Sequence, residues 1–339
     1  MSELRKFLFD GLPVRGSIVR LTDAWAEVLR RRASNATSGA YAAPVRELLG
    51  EMTAAAVLMQ SNIQFEGALV LQIAGDGPVK VAVAEVQSDL RLRATASVSG
   101  EVPDGASLTD LINPGGQGRC AITLDPSSKM PGQQPYQGVV GLMDDHGLGF
   151  TSVAELLRHY MLRSEQLDTL LVLAADENVA AGLLIQRLPG KGEANIEGRA
   201  RRAERGEGVV EEDDDAGALG KNEDFNRIAH LASTLKREEL LTLDIDTVLR
   251  RLFWEERAVG FAPLTGETGP RFACTCSRER VSNMLRGLGR EEAEGIIAER
   301  GNIEVGCEFC GQQYHFDAID AAQIFTQLVV NPPGSPSVQ

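Results

Sequence analysis

Aromatic residues make up only 5% of this 339-residue chain, and there are just four histidines. The histidines, His146, His159, His230 and His315, are scattered, so no multi-histidine metal site is visible and no Ser-His-Asp arrangement can be argued from spacing. Positive charge is also short. Thirty-four Lys and Arg stand against 48 Asp and Glu, for a formal net charge of −14. That balance excludes nucleic acid and anionic membrane as general partners, because counterion release needs a basic face. No stretch approaches the roughly 20 apolar residues of a membrane span, and "MSELRKFLFDGLPVRG" lacks the apolar run of a secretory signal, so a cytoplasmic location is expected. The glycines of "PGGQG" and "GKGEA" lack the strand, GK[ST] and helix order of a phosphate loop and read as turns. With no catalytic constellation, the chain is not expected to be an enzyme.

Cysteine is scarce too, but unevenly so. Of five cysteines, four lie within 37 residues: Cys274 and Cys276 in "CTCSRER", then Cys307 and Cys310 in "CEFCGQQYHF". In a reducing cytosol such cysteines serve as metal ligands or redox groups more often than as permanent disulfides. A CxxC followed by glycine resembles a zinc knuckle. With Zn–S near about 2.3 Å, tetrahedral geometry sets neighbouring sulfurs roughly 3.8 Å apart, and two pairs folded together complete a four-thiolate shell. One Zn²⁺ per chain is therefore expected on Cys274, Cys276, Cys307 and Cys310. His315 is a candidate substitute ligand that four sulfurs make unnecessary. Cys120, ahead of "AITLD", reads as a small buried hydrophobe.

The pattern along the chain predicts an α+β protein: an N-terminal mixed α/β domain with an antiparallel-rich sheet, a helical linker and a small C-terminal zinc-binding redox domain. Over residues 1–189, helices are predicted in "LTDAWAEVLRRR", "APVRELLGEMTAAAVLMQSNI" and "TSVAELLRHYMLRSEQL". Strands are predicted in "ALVLQIAG", "VKVAVAEV", "LRLRATASVSGEV", "CAITLD", "YQGVVGL", "TLLVLAAD" and "AAGLLIQRL". Strands that follow one another without intervening helices favour α+β over a doubly wound sheet. Residues 190–223 carry a basic stretch, then "EEDDD", with few large apolar residues; they read as a flexible charged insertion, with a charge-driven docking arm as the alternative.

Residues 224–262 form the expected helical linker. Phe225, Ile228, Leu231, Ala232 and Leu235 share one helical face, and Ile245, Val248, Leu249, Leu252 and Phe253 share another behind an Asp244 cap. Residues 263–328 are the expected zinc-binding redox-switch domain, with Ser277 capping "RERVSNMLRGL", a second helix in "REEAEGIIAER", and strands at "NIEVG" and "GQQYHF". A segment this small, with few large apolar side chains, is marginal without a staple. Residues 329–339 read as a disordered tail.

The cysteine spacing with its 30-residue gap, together with "GDGPVKVAV", "YQGVVGL", "LRSEQL", "LKREELLTL" and "VLRRLFWEE", resembles the redox-regulated bacterial chaperone family called heat-shock protein thirty-three, over nearly the whole chain. The resemblance implies an ATP-independent holdase, inactive when reduced and zinc-bound. Oxidation in that family forms disulfides within each pair, here Cys274 with Cys276 and Cys307 with Cys310, and zinc is released. It further implies linker unfolding, a homodimer on activation, unfolded or oxidatively damaged clients, and ATP-dependent foldases downstream during oxidative stress. The insertion is longer and more charged than the family's usual linker. Two other classes compete on the residues alone: a thiol-disulfide oxidoreductase, whose CxxC should open a helix beside a βαβ unit, and a zinc-ribbon nucleic-acid binder, which the acidic balance disfavours.

Overall fold

The computed structural model describes residues 1–34, 39–128, 135–188 and 222–326, and it separates into two compact units, Met1–Ala273 and Cys274–Gln339. The charged insertion, but for its last two residues, and the C-terminal tail lie outside the described residues.

The first unit is built on two sheets. One runs in the order β10 (Ala258–Gly260), β1 (Glu3–Phe9), β2 (Val14–Leu21), β9 (Ala180–Arg187), β8 (Thr169–Ala175), with β11 (Leu264–Thr265) also on β1. The other runs β12 (Arg271–Phe272), β5 (Arg91–Val98), β4 (Val79–Gln87), β3 (Gly67–Ala74), β6 (Arg119–Pro126), β7 (Tyr136–Gly141). Among the described residues β12 runs parallel to β5 and the other pairings are antiparallel. The seven strands read from sequence are β3 to β9, and the fold is the expected α+β class.

Helix α2 (Ala43–Ser61) packs against strands of both sheets. Its "TAAAVLMQ" segment is buried all round, which is what a helix without a polar face requires. Gly50 lets it approach closely: a Cβ there would lie 2.4 Å from the Ala175 side chain. Around it lies the main core, with Leu4, Val19, Trp25, Leu69, Leu71 and Tyr160. Helices α1 (Asp23–Ala33), α3 (Leu108–Ile112) and α4 (Val153–Ser164) complete this body.

Strand alternation gives the first sheet a second buried face. Along β1, Leu4 joins the main core, whereas Phe7 and Phe9 join another; β2 divides Val19 and Leu21 from Val14 and Ile18 in the same way. All eight residues of β9 are buried. The second face is covered by α5 (Glu223–Ser233), α6 (Arg237–Thr242) and α7 (Ile245–Phe253). Phe225, Ile228, Ala232 and Leu235 are buried there, as are Ile245, Val248, Leu252 and Phe253, with Leu231 and Leu249 half-buried beside them. Asp244 caps α7 by accepting from the Thr247 amide at 2.8 Å.

Two local features differ from the sequence reading. The first linker helix, expected over residues 224–237, ends at Ser233 and a second helix follows, because the Leu235 amide turns back to the Ala232 carbonyl and Glu239 accepts from the Lys236 amide, which starts a new helix. The hairpin of β1 and β2 was not predicted: each strand sends buried apolar residues to both of its faces, which erases the apolar/polar alternation. Its turn at Asp10–Gly11, with Gly11 at φ +76°, was the available signal.

Candidate metal centre

The second unit is small. Helices α8 (Arg278–Leu288), α9 (Arg290–Arg300) and α10 (Ala318–Thr326) and the hairpin of β13 (Ile303–Gly306) and β14 (Gln313–Phe316) surround a core of Leu285, Ala293, Ile303, Phe316 and Ile324. Ser277 caps α8 through the Arg280 amide at 3.2 Å, so the helix start directly after the CxC is fixed by the residue that follows Cys276. The CxxC occupies the turn between β13 and β14. Its backbone closes on itself: the Gly311 amide donates to the Cys307 carbonyl at 2.8 Å and the Cys307 amide to the Gln312 carbonyl at 2.9 Å. Gly311 takes φ +74°, a conformation open to glycine without a Cβ penalty.

This turn and the extended CxC bring four sulfurs together. The Sγ atoms of Cys274, Cys276, Cys307 and Cys310 all lie within 4.8 Å of one another. Cys274 and Cys307 are 3.6 Å apart and Cys276 and Cys310 are 3.4 Å apart, two close contacts that join one motif to the other. These spacings are near the roughly 3.8 Å edge of a tetrahedral zinc–thiolate site. Cys310 is buried and the other three are partly buried.

Burial and close neighbours raise two of the four thiols. Burial pushes the Cys310 thiol up to about 11, and hydrogen bonding to Cys274, then burial, raises Cys307. A divalent cation relieves this by supplying the charge that four neighbouring thiolates lack, and a coordinated thiol is deprotonated outright. The donor set therefore fits a soft tetrahedral ion, and these four residues would hold it.

Arg278 braces the cluster's scaffold. It pairs with Asp320 at 2.7 Å, donates to the His315 carbonyl at 2.8 Å and lies 4.2 Å above the Phe316 ring, tying α8 to β14 and α10. His315 itself is not part of the cluster: its imidazole is exposed and faces Glu304 across the hairpin at 3.4 Å. Cys120 is buried in β6, in the first unit, with its thiol pushed up to about 12 by burial. Tyr314, which sequence reading passed over, donates its hydroxyl to Cys276 Sγ at 3.1 Å, and that bond raises the phenol to about 12.

The family model described as "Hsp33 protein" matches residues 2–317. Curated proteins named "33 kDa chaperonin" are similar: that of Chromobacterium violaceum is 43% identical, covering 97% of this chain and 95% of its own length. That of Neisseria meningitidis serogroup A is 40% identical over 96% and 92%. Among solved structures, the 33 kDa chaperonin (heat shock protein 33 homolog) from Thermotoga maritima superposes with a TM-score of 0.69 at 21% identity, covering 97% of this chain and 99% of that one, a likeness of fold.

Proposed function

The chain belongs to the Hsp33 family, and on that premise we propose that it is a redox-regulated, ATP-independent holdase chaperone of the cytoplasm. Reduced and zinc-bound it is inactive; oxidised, it captures unfolding or oxidatively damaged proteins, prevents their aggregation, and passes them to ATP-dependent foldases. The observation that carries this reading is the four-sulfur cluster, drawn from two cysteine pairs 30 residues apart, in a unit whose apolar core, among the described residues, is a small cluster around Leu285, Ile303, Phe316 and Ile324.

When bound, zinc supplies folding energy, of order 10–16 kcal/mol in comparable small domains, and holds the sulfurs as thiolates. Thiolates are what oxidants attack. Each disulfide removes two electrons from two sulfurs: with peroxide, one thiolate gains oxygen as the O–O bond breaks, and the second displaces that oxygen, released as water. Cys274 with Cys276 and Cys307 with Cys310 are the proposed pairs. Sulfurs tied up in disulfides are no longer available as the four ligands, so oxidation and metal retention exclude each other.

The consequence reaches the first unit through the chain. Between α7 and Cys274 the connection is held by β10, β11 and β12, strands of three, two and two residues, with β10 exposed. Once the second unit loses its staple, this weak tether no longer restrains α5 to α7, and the apolar face they cover opens. Exposed apolar surface of that extent is a binding surface for unfolded chains and for a second protomer, hence a homodimer on activation. The competing oxidoreductase reading places a reactive CxxC at a helix start, whereas here it sits in the loop of a β-hairpin. No helix among the described residues is long and apolar enough to cross a membrane.

Light scattering from an aggregating client, without ATP, tests the proposal. The zinc-loaded reduced protein should not suppress scattering; the peroxide-treated protein should, and reductant with zinc should reverse the effect. Equal activity in both states would overturn it.

A further inference from the structure

The hydrogen bond from Tyr314 to Cys276 is separate from the contacts that place the tyrosine in the hairpin. The tyrosine is placed by β-pairing opposite Val305, and its ring packs against the small core of the second unit, so its position is set by contacts other than the hydroxyl. The hydroxyl then reaches out of the hairpin to a sulfur of the other motif, 3.1 Å away and 38 residues earlier in sequence. An O–H directed at a thiolate does two things: it orients the sulfur, and it draws on the lone pairs that would otherwise attack an electrophile.

We propose that Tyr314 is a positioning residue for Cys276, fixing that sulfur in the four-sulfur arrangement and restraining its attack on peroxide, so that the phenol sets how readily the switch fires. This rests on the redox-switch reading of the cluster. The chemistry restrained is the first step of oxidation. The Cys276 thiolate attacks one peroxide oxygen, the S–O bond forms as the O–O bond breaks, and the departing hydroxide takes a proton to become water. A neighbouring thiolate then displaces the second hydroxide, which leaves as water. Two electrons pass from two sulfurs to one peroxide.

The test is Tyr314→Phe in the full-length, zinc-loaded chain. The ring and its packing stay; the donor goes. Zinc retention against a chromogenic chelator should weaken about tenfold, the lower end of what outer-shell partners of metal ligands contribute. Peroxide should release zinc several-fold faster. Timed alkylation with peptide mapping should show Cys276 gaining the largest share of early oxidation relative to the parent chain, a readout a merely structural residue would not move. Replacing Tyr314 by 3-fluorotyrosine, a stronger donor of the same shape, should slow release, and it decides the matter if the phenylalanine variant does not fold. His315→Gln, next along the strand and exposed, should change none of these rates. Unchanged retention and an unchanged order of cysteine oxidation in Tyr314→Phe would overturn the proposal. So would uniform acceleration at all four cysteines with a lowered melting temperature. If the parent chain itself keeps its zinc under peroxide, the redox-switch reading fails; if it releases zinc and the variant behaves identically, only the role of Tyr314 fails.

Discussion

Phe253→Ala should switch the chaperone on partly without any oxidant. Phe253 ends α7, is 3% exposed, and meets Phe9 edge-on at 5.0 Å and 81°, with Phe7 at 6.0 Å. Truncating a buried phenylalanine costs about 3–5 kcal/mol, an amount that includes the edge-to-face contact. If α5 to α7 are docked by about 5 kcal/mol, the low end of domain stability, the undocked population is near one in 10⁴. Losing about 4 kcal/mol raises it roughly a thousandfold, to about one in ten. Hydrogen exchange on the zinc-loaded reduced protein should then show amides from Phe225 to Phe253 losing most of their protection while α2 keeps its own. Client scattering should fall by a fraction matching the undocked population. Trp254→Ala is the control: the next residue is 74% exposed, and its removal should leave both measurements near the parent values. If α7 amides lose protection and client suppression does not rise, the face under these helices is not what the reduced state conceals. If protection does not change, the aromatic contacts do not carry the docking.

Three further outcomes are expected. Cys307→Ser should abolish stable zinc retention by metal analysis, whereas His315→Ala should leave one zinc per chain, since the imidazole lies outside the sulfur cluster. A chain ending at Leu188 should suppress client aggregation under reducing conditions, because it lacks the helices that cover Phe7, Phe9, Val14 and Ile18; a well-folded but inactive truncation, judged by circular dichroism, would refute the masking argument. Glu51 on α2 has its carboxyl raised from 4.5 to about 7, chiefly by burial, with Arg237 opposing and Glu47 adding to the shift. The folded state thus binds the extra proton between those values, and stability from this group is present below about pH 4.5 and lost as pH rises through about 7. Glu51→Gln should flatten that slope in denaturant melts and stabilise the protein at pH 8 by on the order of 2–3 kcal/mol; an unchanged slope would show that Glu51 titrates normally.

The elements legible in the sequence are those whose local pattern and final environment agree. α2 was readable because its apolar periodicity is dense, and β3 to β6 because turns such as "GDGP" separate them cleanly. The cap at Asp244 and the cap at Ser277 are local chemistry, decided within four residues. The four cysteines were readable as a set because metal-ligand geometry constrains sequence spacing directly. The N-terminal hairpin was not readable, since strands that send apolar residues to both faces carry no alternation to distinguish them.

What the sequence by itself determined, then, is the list of parts: an apolar central helix, consecutive strands, two amphipathic linker segments and a paired-cysteine motif. Tertiary structure alone decided which surfaces meet. Leu4 and Phe7 look alike in a sequence, yet one joins the main core and the other packs against Phe253 of α7, because pleating sends their side chains to opposite sides of one sheet. Nothing in the spacing of Tyr314 indicates that its hydroxyl reaches Cys276 rather than solvent. That contact depends on how a hairpin and an extended segment 38 residues apart are folded onto each other, a long-range arrangement fixed by the small core between them.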